Sequence, residues 1–203
     1  MKPIETARPA EGARHYGPHL GAVAIVFTAL FMVSLVLVPI RSFLQFGAAI
    51  PLGVFTATLT SKLRFFGATA AGVNISLFGG IMAAVFLALS GLTGWVISQP
   101  TMAGAGSPLH AFQLFAFATG GVGHIAGLGL LLAGAAIPAG MMRLIPRWLM
   151  WLGLVTALFA ELSVWSLVFP ALYFLIPLGR FPAFIWMICA GWSLQRDPSR
   201  RSE

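Results

Sequence analysis

Two side chains stand out for their chemistry, Glu161 and His124, because both lie inside long apolar runs. Between Glu11 and Asp197, Glu161 is the only acidic residue. A charged carboxylate at the centre of a bilayer costs about 3 kcal/mol on insertion scales. A glutamate paired with a histidine in such surroundings can share a proton, which suits a proton-sensitive or ligand-binding site. We therefore take this pair as the first candidate site.

Glu161 has other candidate partners in the sequence. Arg41 and Arg180 flank apolar runs on one side of the predicted membrane, and long basic side chains can reach inward from there. Trp165 follows Glu161 by one helical turn and is a candidate wall of the site. Asn74 lies within another apolar run and favours a hydrogen bond between helices. Glu161 thus either binds a ligand or proton or fastens helices, and the sequence leaves both open.

Haem is a weaker alternative that uses His110 and His124. The two histidines are fourteen residues apart, close to four helical turns, a spacing typical of helices that hold haem. Each haem would need a second axial ligand from another helix. The remaining histidines, His15 and His19, lie in the polar N-terminal segment, so haem is disfavoured and no other cofactor is evident.

Glycines surround His124 at positions 120, 121, 123 and 127. The string resembles a dinucleotide-binding loop, but no strand precedes it and no acidic residue follows at the required distance. Gly123 and Gly127 instead form a GxxxG pattern, which lets two helix backbones approach closely. We predict that Gly120, Gly121, Gly123 and Gly127 serve helix packing, either within the chain or in a homo-oligomer.

The composition indicates what kind of protein positions these residues. Of 203 residues, 59% are hydrophobic and 8% are charged, whereas a soluble domain has about 25% charged residues. The chain is therefore predicted to be a polytopic membrane protein with the lipid bilayer around it. The net charge of +7 comes from Lys and Arg scattered between apolar runs, which excludes nucleic acid as a partner. A single cysteine, Cys189, excludes an intrachain disulfide and a cysteine metal cluster.

The apolar runs predict an all-α bundle of six transmembrane helices. Residues 1–19 form a flexible tail, residues 20–195 the six-helix domain, and residues 196–203 a charged tail. The predicted spans are 20–40, 43–59, 66–97, 111–139, 148–169 and 181–194.

The basic residues predict the orientation of the bundle. With six spans, only Arg41 and Arg180 lie on the side away from the termini. The other ten lie on the terminal side: Lys2, Arg8, Arg14, Lys62, Arg64, Arg143, Arg147, Arg196, Arg200 and Arg201. The positive-inside rule then places both termini in the cytoplasm. Trp186, near the start of the last span, is interpreted as part of an aromatic belt at the membrane surface.

Parts of the chain resemble a group of bacterial multi-pass membrane proteins that share a domain of unknown function. The matching segments include Arg-Leu-Ile-Pro-Arg-Trp at 143–148, Glu-Leu-Ser at 161–163, Pro-Leu-Gly-Arg-Phe at 177–181 and the stretch 45–53. The resemblance implies a bundle in the bacterial cytoplasmic (inner) membrane and carries no activity or catalytic residue with it.

Three functions are open at this point. A binding or structural subunit, alone or in a membrane complex, is favoured. A small proton-linked transporter that uses Glu161 and His124 is the alternative. A membrane-embedded enzyme is the weakest, because the sequence shows no second intramembrane carboxylate, no metal triad and no nucleophile–base pair.

Overall fold

The structure is a computed structural model that describes residues 17–68, 71–104 and 106–195. These residues form helices joined by turns and contain no strand, so the predicted all-α fold is confirmed. The helices are α1 (Leu20–Val36), α2 (Arg41–Phe65), α3 (Ala71–Ile97), α4 (Ser107–Met141), α5 (Arg147–Leu162) and α6 (Leu175–Gln195). With their flanking turns, the last five are long and apolar enough to cross a membrane, and α1 is apolar but shorter. Residues 1–16 of the predicted tail 1–19, and the whole predicted tail 196–203, lie outside the described residues.

Prolines account for several helix boundaries. The helix α1 ends at Val36, three residues before Pro39, which lacks the backbone N–H that a continuing α-helix would need. A short 3₁₀ turn, Val38–Ile40, then leads into α2. Conversely, α6 begins at Leu175, six residues earlier than predicted, because Pro177 falls in the first turn of the helix, where a missing N–H costs little.

Successive helices run in opposite directions, which gives the bundle two ends. At the terminal end, Lys62 Nζ donates to the carbonyl of Leu194 at 3.2 Å, and the rings of His19 and Trp192 meet edge to face with centroids 4.7 Å apart. At the loop end lie the turn Val38–Ile40 and residues 98–104. We use these two names for the ends below.

Helix α4 is the most deeply buried of the five longer helices. It crosses α3 so closely that glycines of both helices contact the opposite backbone, with Gly79 of α3 against Leu131 and Gly127 of α4 against Ala83. Such small residues allow helices in a membrane to pack without intervening side chains. Close packing on α3 fixes the rotation of α4 and hence the direction in which its polar residues point.

Candidate functional site

His124 lies in the centre of the bundle and is fully buried. Its Nδ1 is 2.9 Å from the carbonyl oxygen of Ala83 in α3. A carbonyl oxygen only accepts hydrogen bonds, so Nδ1 carries the proton and donates it. In a neutral ring the other nitrogen, Nε2, is then an acceptor, and it has no partner among the described residues. His124 therefore contributes an unused buried acceptor.

Phe31 of α1 lies beside both His124 and Arg180. Its ring is nearly parallel to that of His124, at 12° with centroids 6.1 Å apart. The guanidinium carbon of Arg180 is 5.0 Å from the centroid of the same Phe31 ring, within the range of a cation–π contact. Arg180 also donates from Nη2 to the carbonyl of Gly120 at 2.5 Å. We call Phe31, Gly120, His124 and Arg180 the Arg180 cluster.

The positive charge of Arg180 is not matched by a carboxylate in the part of the chain that the structure describes. Its Nε is buried without a hydrogen-bond partner. Glu161 is the only acidic residue at the described positions, and it makes no ion pair with Arg180. A guanidinium presents five N–H donors, and a buried charge is costly unless its donors and its charge are satisfied. The cluster therefore has the donors and the charge that an anion would require.

Helix α4 changes its winding next to Arg180. Residues Ala118–Gly123 form a π-helix, in which the hydrogen-bond register is shifted by one residue. Two backbone carbonyls in and just before this segment accept hydrogen bonds from polar side chains of other helices. The carbonyl of Gly120 accepts from Arg180, and that of Ala116 accepts from the Ser90 hydroxyl at 3.0 Å. Single π-helical turns inside α-helices are frequent at functional sites.

A cavity of about 540 Å³ opens at the loop end between α1, α2, α3 and α4. We call it the vestibule. Its polar lining consists of one arginine, four serines and two glutamines, which are Arg41, Ser34, Ser42, Ser90, Ser98, Gln45 and Gln113. None of the described residues that line it is an aspartate or a glutamate. Arg41, an exposed residue, donates from Nε to the carbonyl of Ser34 at 3.3 Å. The vestibule is thus polar with one positive charge.

The deep side of the vestibule adjoins the Arg180 cluster. Ser90, which lines the vestibule, packs closely on Gly120, where an added Cβ would lie 2.8 Å from the Cβ of Ser90. Gly120 is the residue whose carbonyl binds Arg180. On the α1 side, the hydroxyl of the lining residue Ser34 donates to the carbonyl of Phe31 at 2.6 Å. One layer of residues therefore separates the vestibule from Arg180.

Glu161 lies apart from these groups. Its side chain is exposed on the bundle surface and rests in the groove between α4 and α5, where a Cβ added to Gly129 would lie 2.6 Å from its Oε1. His124 contacts Ala83 and Phe31 and interacts electrostatically with Arg180. The structure therefore brings His124 together with Arg180, and it places Glu161 next to neither His124 nor Arg180.

The remaining polar and aromatic candidates lie outside the cluster. Trp165 is 57% exposed on the surface of the bundle. Asn74 accepts a hydrogen bond from Arg64 Nη2 at 2.7 Å, which links α3 to α2 near the terminal end. His110 is exposed near the start of α4, at the opposite end from Asn74. The spacing of His110 and His124 therefore does not put both rings in the interior.

The predicted packing glycines have different neighbours. Gly127 meets the backbone of α3, and Gly120 meets Ser90. Gly123 lies against the ring of Phe86. Gly121 has more room, with its nearest neighbours 3.7 Å from the position of an added Cβ. The glycine string thus serves both the α3 contact and the winding of α4 beside Arg180.

The substitution Glu161→Gln tests directly whether the carboxyl group of Glu161 has a structural role. Since its carboxyl group makes no hydrogen bond or ion pair with a described residue, we expect Glu161→Gln to change the free energy of unfolding by no more than about 0.5 kcal/mol. Thermal unfolding in detergent micelles measures this. A clear loss of stability would show that the carboxyl group fastens α5 to a neighbour.

Sequence analysis missed the uncharged residues of the vestibule. Ser34, Gln45, Ser90 and Gln113 are single polar residues in apolar runs, and none stands in a recognisable motif. Their common signal is position, because each lies in the half of its run that is nearer the loop end. That signal becomes visible only once the direction of each helix is known.

Comparisons of the chain with protein-family models, curated proteins and solved structures found no match. The function is therefore assigned from the vestibule and the Arg180 cluster themselves.

Proposed function

We propose that this protein is a membrane-embedded binding protein for small anions, which enter through the vestibule. The observation that supports this most directly is the lining of the vestibule, which combines Arg41 with hydroxyl and amide groups and has no carboxylate. Guanidinium, hydroxyl and amide N–H groups are the donors that bind oxyanions, and those from arginine are the strongest. A second arginine, Arg180, lies one layer deeper, and no described carboxylate pairs with it.

The shape of the vestibule supports this proposal. Its volume of about 540 Å³ is in the range of small-molecule pockets, which is about 300–1,000 Å³. Its walls are largely apolar helices, and a cleft of one charge sign between low-dielectric walls concentrates ions of the opposite sign. The attraction of Arg41 and Arg180 for an anion would therefore add up along the path inward.

We further propose that the vestibule opens on the outer side of a bacterial cytoplasmic membrane. In the sequence-based topology, ten of the twelve Lys and Arg residues fall on the side of the termini, and the positive-inside rule assigns that side to the cytoplasm. The two remaining cations, Arg41 and Arg180, are the two that belong to the proposed anion path. The proposed anion binding would then explain why these two arginines lie on the side that has few basic residues.

Binding is proposed in preference to transport, because the bundle is tightly filled beyond the Arg180 cluster. Large side chains that include Phe55, Leu128 and Leu131 are fully buried there. An anion that passed through would have to separate these side chains. The sequence-based alternative is proton-linked transport through Glu161 and His124. The two side chains are not in contact, so their arrangement gives this alternative no support.

The proposal predicts the effect of removing the charge in the vestibule. We expect the purified protein in phosphatidylcholine nanodiscs to bind small oxyanions, and Arg41→Gln to weaken that binding at least tenfold. Hydrogen bonds to charged groups contribute about 1.5–3 kcal/mol, which corresponds to a factor of about 10 or more. Isothermal titration at constant ionic strength measures both dissociation constants.

Arg64→Gln is the matched control, since it removes the same charge from an exposed residue near the terminal end. It should leave the affinity within a factor of about three, as expected for a screened distant charge. The proposal is wrong if the unaltered protein binds no anion, or if both variants weaken binding equally.

A further inference from the structure

The hydrogen-bonding groups of the Arg180 cluster are complementary to a specific kind of anion. Arg180 can only donate hydrogen bonds. His124 already uses Nδ1 as a donor to Ala83, so its Nε2 is restricted to accepting. A ligand that satisfies both residues must therefore accept from the guanidinium and donate to the imidazole.

His124 is held in the neutral form that this requires. A proton on Nε2 would create a second buried cation beside Arg180, and like charges in a low-dielectric interior repel strongly. Among the described residues, the ring also contacts the aromatic side chains of Phe27 and Phe31 and the backbone of α3, and none of these carries a negative charge. Nε2 therefore presents a lone pair and no proton.

We propose that the Arg180 cluster is an inner binding site for a small oxyanion that retains one proton, of which hydrogen carbonate is the simplest example. The oxygens that share the negative charge accept hydrogen bonds from Arg180, and the remaining O–H donates to Nε2 of His124. This inference rests on the proposed anion-binding function and names the ligand class. It also explains why a partly buried arginine and a fully buried neutral histidine lie together with no carboxylate among the described residues.

The winding of α4 gives the anion a way to reach Arg180. In this structure the Gly120 carbonyl occupies one donor of the guanidinium. Rewinding the π-helical turn Ala118–Gly123 as α-helix would shift its carbonyls by one residue and release that donor. The segment contains three glycines, which hold a helical conformation weakly and therefore favour a change of register there. Ser90 lines the vestibule and packs against Gly120, so the vestibule would connect to Arg180 past this residue.

Hydrogen carbonate and nitrate form a matched pair of probes. Both are planar, triangular oxyanions with a single negative charge at mildly alkaline pH, and only hydrogen carbonate carries an O–H group. Nitrate at the inner site would leave Nε2 of His124 without a partner, and sites built around a ligand hydroxyl discriminate strongly against analogues that lack it. We expect the protein to bind hydrogen carbonate at least tenfold more tightly than nitrate.

The variant His124→Phe tests the role of the acceptor. Phenylalanine keeps an aromatic ring beside Phe31 and removes Nε2. We expect the variant to bind both anions with similar affinity, close to that of the unaltered protein for nitrate. Titrations in nanodiscs that contain only phosphatidylcholine ensure that the signal comes from the free anion and not from a lipid phosphate monoester.

A spectroscopic measurement on the unaltered protein covers the case in which the variant does not fold. With ¹⁵N-labelled histidine, hydrogen carbonate should shift the Nε2 resonance of buried His124, nitrate should shift it much less, and exposed His110 should serve as the internal reference.

Two different failures can be told apart. If both anions bind equally tightly and Arg41→Gln weakens both, the inner-site inference is wrong while the vestibule proposal stands. The same conclusion follows if anions bind while the His124 resonance does not move. If neither anion binds, the proposed function itself is wrong.

Discussion

Replacing Gly127 by alanine is expected to abolish most of the folded protein. The new Cβ would lie 2.5 Å from the backbone nitrogen of Ala83 and 2.8 Å from the carbonyl oxygen of Gly79. Both neighbours are backbone atoms of α3, so the contact is relieved only if the two helices separate. Overpacking typically costs about 1–3 kcal/mol and occasionally more, and we expect the upper end here because no side chain can move aside. The yield of monodisperse protein and its unfolding temperature in detergent measure the effect.

Gly53→Ala provides the control for this substitution. Gly53 lies within α2, and no heavy atom is within 4 Å of the position that its Cβ would occupy. Alanine is favoured over glycine in a helix by about 1 kcal/mol, so this variant should unfold at the same or a slightly higher temperature. Equal losses of stability in both variants would mean that Gly127 does not hold α3 and α4 together.

The contact of α3 with α4 shows which part of helix packing a sequence predicts. The GxxxG pattern of Gly123 and Gly127 indicates that something approaches closely, and Gly127 does contact α3. The pattern does not name the partner, however. In α3, Gly79 faces α4 whereas the adjacent Gly80 faces Thr56 of α2. Adjacent glycines look alike in the sequence, and only the rotation of the helix assigns each to a neighbour.

The apolar runs predicted the helices well, and the main error followed from a helix boundary. Trp186 was interpreted as a residue of the membrane-surface belt, and this is wrong, because it is 1% exposed and its Nε1 donates to the Leu149 carbonyl at 2.9 Å. The predicted sixth span began at residue 181, which put Trp186 near a helix end. Since α6 begins at Leu175, Trp186 is close to the middle of the helix. Tryptophan serves both locations, so composition alone does not distinguish them.

The candidate site was predicted in part for a related reason. His124 and Arg180 were both selected from the sequence, but His124 was paired with Glu161 because α4 and α5 are adjacent. Glu161 meets α4 at Gly129, five residues after His124. At about 100° per residue, five residues correspond to a rotation of about 140°, so His124 points away from α5. The spacing of residues within one helix is visible in a sequence, whereas the face that meets a neighbour is set by packing.

Arg180→Met is expected to make the protein more stable and to remove its selectivity for hydrogen carbonate. Arg180 is partly buried and has no carboxylate partner among the described residues, and both conditions make its charge costly. Replacing buried ionic groups by apolar side chains of similar volume is often neutral or stabilising by about 1–4 kcal/mol. Methionine can fill the space over Phe31 and make a favourable sulfur–aromatic contact. These gains oppose the loss of the hydrogen bond to Gly120, which contributes about 1.5–3 kcal/mol as a bond to a charged group. We expect the unfolding temperature to stay equal or to rise.

Thermal unfolding with and without ligand separates the two roles that Arg180 can have. Hydrogen carbonate at 100 times its dissociation constant should stabilise the unaltered protein by about 2.7 kcal/mol, and it should stabilise Arg180→Met no more than nitrate does. Arg147→Met, at an exposed position at the start of α5, is the control and should keep the full response. A lower unfolding temperature for Arg180→Met would instead identify Arg180 as a clamp between α6 and α4. An equal or higher unfolding temperature for Arg180→Met therefore indicates that Arg180 serves ligand binding at a cost in stability. A lower unfolding temperature indicates that Arg180 serves the fold.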